Sequence, residues 1–304
     1  MPCKTIKMKK FFAVFVVFSA GWAVTGSAQK PIDLKFNLAT GENYDYNMDV
    51  DMSTTGDFGG QSIDVKNTMM LGYHFTVLGD SAGWKKLSAT ISKIVMNVNT
   101  GGMSISYDSD KPVDSTDVTG GMLGKVLGQM KGAKFGFTMN EKGQIGSVTG
   151  VNELVERMQA NVPGASEMGA GLGNSFSEDN FRQNMQQAFG AYPCKPVKPG
   201  DTWTSTTSST ASGMKLETAN AYTLESVSGS IANIKVNSKL STASTDSAAA
   251  GISGTTTGNI MFDIPTGIAI DGNTETSLDI KVKEQGQTIP MTTDIKMKLT
   301  GKKP

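Results

Sequence analysis

The reading of the fold turns on Tyr44-Asp45-Tyr46-Asn47-Met48-Asp49-Val50-Asp51-Met52. Apolar and polar residues alternate strictly, so an extended chain puts five apolar side chains on one face and four polar ones on the other. One dry face and one wet face is the pattern of an antiparallel sheet. The same period of two recurs in Leu71, Tyr73, Phe75 and Val77, and in Met103, Ile105 and Tyr107. It returns near the C-terminus in Leu278, Ile280 and Val282, and in Ile289, Met291, Ile295, Met297 and Leu299. Between Leu87 and Val98 the phase slips, from Leu87, Ala89 and Ile91 to Ile94, Met96 and Val98. That slip predicts a β-bulge near Ser92-Lys93 and a bent strand.

The middle of the chain has a different rhythm. Met122, Leu123, Val126, Leu127 and Met130 fit a short helix, weakened by Gly124 and Gly128. Phe135 to Met139, the turn Asn140-Glu141-Lys142-Gly143, and Ile145 to Val148 read as a hairpin. Val151, Leu154, Val155, Met158 and Val162 follow helical spacing, with Glu153 and Arg157 as a supporting pair four residues apart. Ser177 caps a further helix bearing Glu178 and Asp179 in its first turn and Phe181, Met185, Ala188 and Phe189 on its apolar stripe; Gly190 and Pro193 end it. Each stripe requires a partner, so the two longer helices are expected to cover apolar sheet faces.

The sequence therefore predicts an α+β protein, mainly β, with two curved antiparallel sheets and a helical middle packed on them. The expected divisions are 1–28, a leader; 29–118, an N-terminal β-region; 119–193, the helical middle with its hairpin; and 194–304, a C-terminal β-region. The two β-rich ends read as distant copies: Gly41-Glu42-Asn43-Tyr44 is echoed by Gly200-Asp201-Thr202-Trp203, and the run from Tyr73 to Gly79 by that from Tyr222 to Gly229. The tracts Thr204 to Ser212 and Thr242 to Gly258 are rich in Ser, Thr, Ala and Gly and suit polar edge strands or loops.

The leader is read from Lys9-Lys10, the apolar run Phe11 to Val24, and small residues ending Gly26-Ser27-Ala28. Positive start, short apolar core and small residues form a secretory signal, and the run is short of the roughly 20 residues a spanning helix needs. No cysteine stands directly after the apolar run, so a lipoprotein attachment site is not expected, and the protein is expected to be periplasmic or secreted without a membrane span. Cleavage would remove four lysines and no acid, leaving 24 basic and 28 acidic residues, a net charge of −4 with no footprint for nucleic acid. It would also remove Cys3, so that Cys194 could form no intramolecular disulfide and is read as a buried or tolerated thiol.

Catalytic patterns are sparse. His74 is the only histidine and sits on the polar phase of a strand, so a Ser-His-Asp triad is not expected. One His and one mature Cys make a zinc site improbable, and no cofactor is expected. Asp49-Val50-Asp51-Met52-Ser53 opens like a calcium loop, but Thr54 and Gly60 stand where Gly and Glu are needed. Asp108-Ser109-Asp110 with Asp114 and Asp117 reads as a solvated acidic turn, and Gly169 to Asn174 as a linker. A hydrolase working with carboxylates alone is the weakest of three functional readings.

The mature chain carries 16 methionines against 14 leucines, and flexible, polarizable Met is over-used at adaptable binding surfaces. The leading reading is thus a non-catalytic exported module that binds an apolar ligand or lipid in a Met-lined concave sheet. Its candidate residues are Tyr46, Met48, Met52, Met96, Met103, Met291 and Met297. The alternative is a structural or cell-envelope module that contacts an envelope protein and has no ligand cavity.

Four strings carry a family resemblance: Gly41 to Tyr46, Asn140 to Ile145, Lys195 to Trp203, and Phe262-Asp263-Ile264-Pro265-Thr266-Gly267. Together they resemble a family of exported bacterial proteins classed as a domain of unknown function, which brings no assigned activity and no catalytic residues to carry over. In outline, a curved sheet with helices on its concave side is also similar to the periplasmic lipoprotein carriers, an analogy of fold alone.

Overall fold

The computed structural model describes residues 30–58, 61–112, 118–161, 177–211, 214–242, 251–284 and 287–304. Twelve strands form one antiparallel sheet: β1 Asn43–Phe58, β2 Gln61–Ser81, β3 Trp84–Asn99, β4 Ser104–Asp108, β5 Lys134–Asn140, β6 Ile145–Thr149, β7 Thr202–Ala211, β8 Met214–Ser228, β9 Ile231–Thr242, β10 Gly251–Asp263, β11 Ile268–Glu284 and β12 Gln287–Lys302. Their order is β6-β5-β3-β2-β1-β12-β11-β10-β9-β8-β7, with β4 paired beside β5 on β3. The pairing of β1 with β12 fuses the two expected sheets into one surface. Three helices lie in the middle: α1 Val118–Met130, α2 Val151–Asn161 and α3 Glu178–Phe189.

The expected bulge is present. The register of β2 and β3 shifts where Gly72 faces Lys93 and Tyr73 faces Ile91, leaving Ser92 without a partner across the ladder. The N-cap is present too: Ser177 has extended backbone and its side-chain oxygen accepts from the Asn180 amide.

The sheet is rolled. Eleven strands in file, laid flat, would span roughly 50 Å at about 4.8 Å per step. Yet α3, twelve residues and so about 18 Å long, touches both end strands, β6 and β7. Gln186 on α3 accepts from the Ile145 amide and donates to the Gly143 carbonyl at the β5–β6 margin. Just beyond α3, the Ala191 carbonyl accepts from the Trp203 indole of β7 at 2.9 Å. These bonds clasp the two edges together and satisfy backbone groups that a bare sheet margin would leave open. α3 therefore lies along this seam and covers an apolar sheet face as expected, with Phe181 against Phe135 and Phe189 against Phe137 of β5. α2 packs on α1 and α3, burying Val151, Leu154 and Met158.

One end of the roll is plugged by the segment before β1. Leu34, Phe36 and Leu38 are buried, while the amides of Ile32, Phe36 and Asn37 donate to Val197, Glu141 and Thr266. Gly267, at φ +70°, lies so close under the Lys35 carbonyl that no side chain fits there. The Tyr192 hydroxyl donates to the Gly267 carbonyl at 2.6 Å, tying the seam to the β10–β11 turn.

The repeat read in the sequence has a structural counterpart. Gly41 and Gly200 both have positive φ, and their amides donate to Val77 and Leu224, each at 2.8 Å. Glu42 and Asp201 close matching turns, their carboxylates accepting from the amides of Ala39 and Lys198. Each turn leads into a three-strand meander, β1-β2-β3 in one case and β7-β8-β9 in the other.

Two expectations are corrected. Met103 lies before β4, in the turn closed by the Thr100 amide donating to its carbonyl, and is 54% exposed. Cys194 is exposed rather than buried, and Cys3 falls in the stretch read as a leader, outside the described residues. Also outside them are the leader itself, Asp114, Asp117, Gly169 to Asn174, and 243–250 of the second Ser/Thr tract.

Candidate functional site

Register fixes which side chains share the inner face. Across from Val50 lie Met69 on β2 and Met297 on β12, and Met69 faces Met96 on β3. Met48 lies between Leu71 and Leu299, Met52 between Asn67 and Ile295, and Met291 opposite Gly56. Met48, Met52, Met96, Met291 and Met297 thus share one face, all half-buried, and Met103 is apart from them. Tyr46 shares the face but belongs to the plugged end, edge-on to Phe75 and Phe189.

That plugged end is full. Phe36, Tyr44, Tyr46, Phe137, Phe189 and Tyr192 help line a residual cavity of about 20 Å³, room for a single water. Burial raises the phenol pKa values of Tyr44, Tyr46 and Tyr192, because the ionised form would lose its hydration. No acyl chain fits in this space. Further along the roll the methionines are only half covered.

Two features of that open stretch were not read from sequence. First, the face carries no charge. From Tyr44 to Gly56 on β1, Val65 to Val77 on β2, and Ile289 to Gly301 on β12, the inward positions are apolar, Thr, Asn or Gly, while Asp45, Asp49, Asp51, Lys296 and Lys298 alternate outward. On the outside His74 meets Asp45 at 2.7 Å, and Lys296 meets Glu275. The acidic turn is neutralised likewise: Lys131 and Lys93 hold the Asp110 carboxyl down to about 2. No metal-ligating cluster occurs among the described residues.

Second, a polar row crosses the inner face at the level of Met52. Following the ladders from Ile295, it runs through Thr276, Thr256, Ser238, Asn220 and Ser205. Thr256 and Thr276 share a hydrogen bond of 2.8 Å, and the Ser238 hydroxyl donates to Asn220 Oδ1 at 2.6 Å. The Asn220 amide in turn donates to Ser205 at 3.4 Å. The row is invisible to a search for periodic greasiness, because Ser and Thr on either face of a strand look alike until register is known.

Fold and site together define a rolled, mainly β α+β protein with an aromatic plug and, beyond it, an uncharged face of half-buried methionines. The family model described as a family of unknown function (DUF6263) matches residues 82–269, more than half of the chain, and the chain belongs to that family. The match takes in three of the four strings of the sequence resemblance and stops short of Gly41 to Tyr46. No curated protein matches. Among solved structures, one described as lipid-protein interactions in lipovitellin is similar at TM-score 0.48 and 11% identity, over 87% of this chain and 26% of that one. The present chain thus spans about a quarter of that protein. The translocator domain of the autotransporter NalP from Neisseria meningitidis gives TM-score 0.23 at 6% identity, over 86% of this chain and 89% of that one. A DUF1329 family protein from Desulfovibrio piger gives 0.14 at 8%, over 84% and 85%. No helix among the described residues is long and apolar enough to cross a membrane.

Proposed function

We propose that the protein is an exported, non-catalytic module that holds the hydrocarbon part of a lipid against the methionine wall formed by β1, β2, β3 and β12. The observation that carries this reading is the half-covered Met48, Met52, Met69, Met96 and Met297, adjacent on one face yet outside the filled aromatic end. Half-covered apolar surface of this kind costs free energy in water, at about 25 cal/mol per Å², and gains it back from an apolar guest. The leader-like Lys9 to Ala28 supports export. The outward placement of Asp45, Asp49 and Asp51 leaves the methionine wall without a carboxylate of β1, which supports a binding role over hydrolysis there.

Fluorescence titration with a pyrene-labelled hydrocarbon tests the reading, and saturable binding is expected. Met297→Gln, which sets an amide into the wall, is expected to weaken it about fivefold. An unsaturable signal, or one indifferent to Met297→Gln, refutes the reading in favour of an envelope module acting through its sheet margins. Edman sequencing of the exported protein, expected to begin at Gln29, checks the leader.

A further inference from the structure

We infer that the guest is an uncharged amphiphile, a hydrocarbon chain bearing a hydroxyl or ester head without ionised groups, whose head meets the polar row running from Asn67 to Ser205. The inference rests on the ligand reading above and deepens it by naming the class of lipid.

Two independent observations support it. The interior walls offer no Lys, Arg, Asp or Glu at the inward positions of β1, β2 or β12, so a carboxylate or phosphate head drawn inside would have no counter-charge. The interior also offers hydrogen-bonding capacity that the protein itself does not use. Thr207, 6% exposed and two residues along β7 from Ser205, has a buried hydroxyl with no partner. Asn67 Oδ1, beside Met52 at the far end of the same row, is likewise buried and unpartnered. Such groups are costly when left unmatched and natural sequences seldom keep them, unless something else provides the partner. A neutral hydroxyl can accept from Thr207 and donate to Asn67 Oδ1, and an ester oxygen can accept from Thr207; an ionised head would accept from Thr207 but strand its charge.

Competition against the pyrene hydrocarbon at pH 8 separates the classes, using monooleoylglycerol, oleate and oleoyl-lysophosphatidylglycerol on the full chain. Monooleoylglycerol is expected to bind at least tenfold more tightly than either anion. Thr207→Val, isosteric but without the hydroxyl, is expected to weaken monooleoylglycerol about tenfold while leaving the pyrene hydrocarbon and the thermal midpoint unchanged or raised. Anions that bind as well as the neutral lipid overturn the inference while leaving the hydrocarbon wall intact, as does a Thr207→Val protein that retains full monooleoylglycerol affinity. Failure of the pyrene probe to bind the wild-type chain sinks the ligand reading itself. If Thr207→Val does not fold, the wild-type comparison of the three lipids still decides.

Discussion

Tyr44, Tyr46, Tyr192 and Tyr222 share a consequence of where they sit. Each phenol is pushed above its ordinary value of 10.0 by burial, so the folded state favours the protonated form more than the unfolded chain does. Stability from these groups is complete below pH 10 and declines as pH rises past it, because unfolding then releases protons. Thermal unfolding followed from pH 7 to 11 should show a flat midpoint up to about pH 10 and a steep fall above it. A midpoint unchanged at pH 11 would mean that the phenols reach water. Tyr46 illustrates how far sequence reading extends at this scale: its inward face was legible from alternation, but its place in the plug depends on Phe189, distant in the chain.

At the scale of elements, the seam along α3 holds the roll shut. Gln186→Ala removes both bonds to the β5–β6 margin and should cost about 1–2 kcal/mol. Hydrogen exchange should show the Ile145 amide losing protection well beyond its neighbours on β5; equal protection in the variant would show that the helix backbone, not this side chain, closes the edge. The helices, the hairpin and the bulge at Ser92 were all legible, since caps, turn residues and hydrophobic period are local signals. Met103 was misplaced because its alternation with Ile105 and Tyr107 continues one step past the point where the chain turns at Thr100. The plug segment was missed although Ile32, Leu34, Phe36 and Leu38 alternate with Asp33, Lys35 and Asn37; the signal was present but too short to stand out beside β1.

Taken whole, the molecule has a single core. Buried residues from the plug, both meanders, the hairpin and α2 form one cluster, so neither β-rich end should unfold alone. Trp84 on β3 and Trp203 on β7 report from opposite arms of the roll. Urea unfolding of Trp84→Phe and of Trp203→Phe should in each case give a fluorescence midpoint that coincides with the one from circular dichroism. Separated midpoints in either variant would mean two units, as the sequence division into 29–118 and 194–304 would allow.

The sequence by itself determined what is local: strands with one oily side, the bulge, the capped helices, the hairpin, and an abundance of methionine. Period and turn chemistry act over a few residues, and they survive any arrangement of the whole. Only the tertiary structure decided that the two ends share one sheet, that its margins meet across α3, and that the aromatic end is filled while the methionines stay half-buried. It alone lined up Thr276, Thr256, Ser238, Asn220 and Ser205, because register is set by pairing between strands far apart in the chain, and no single strand contains it.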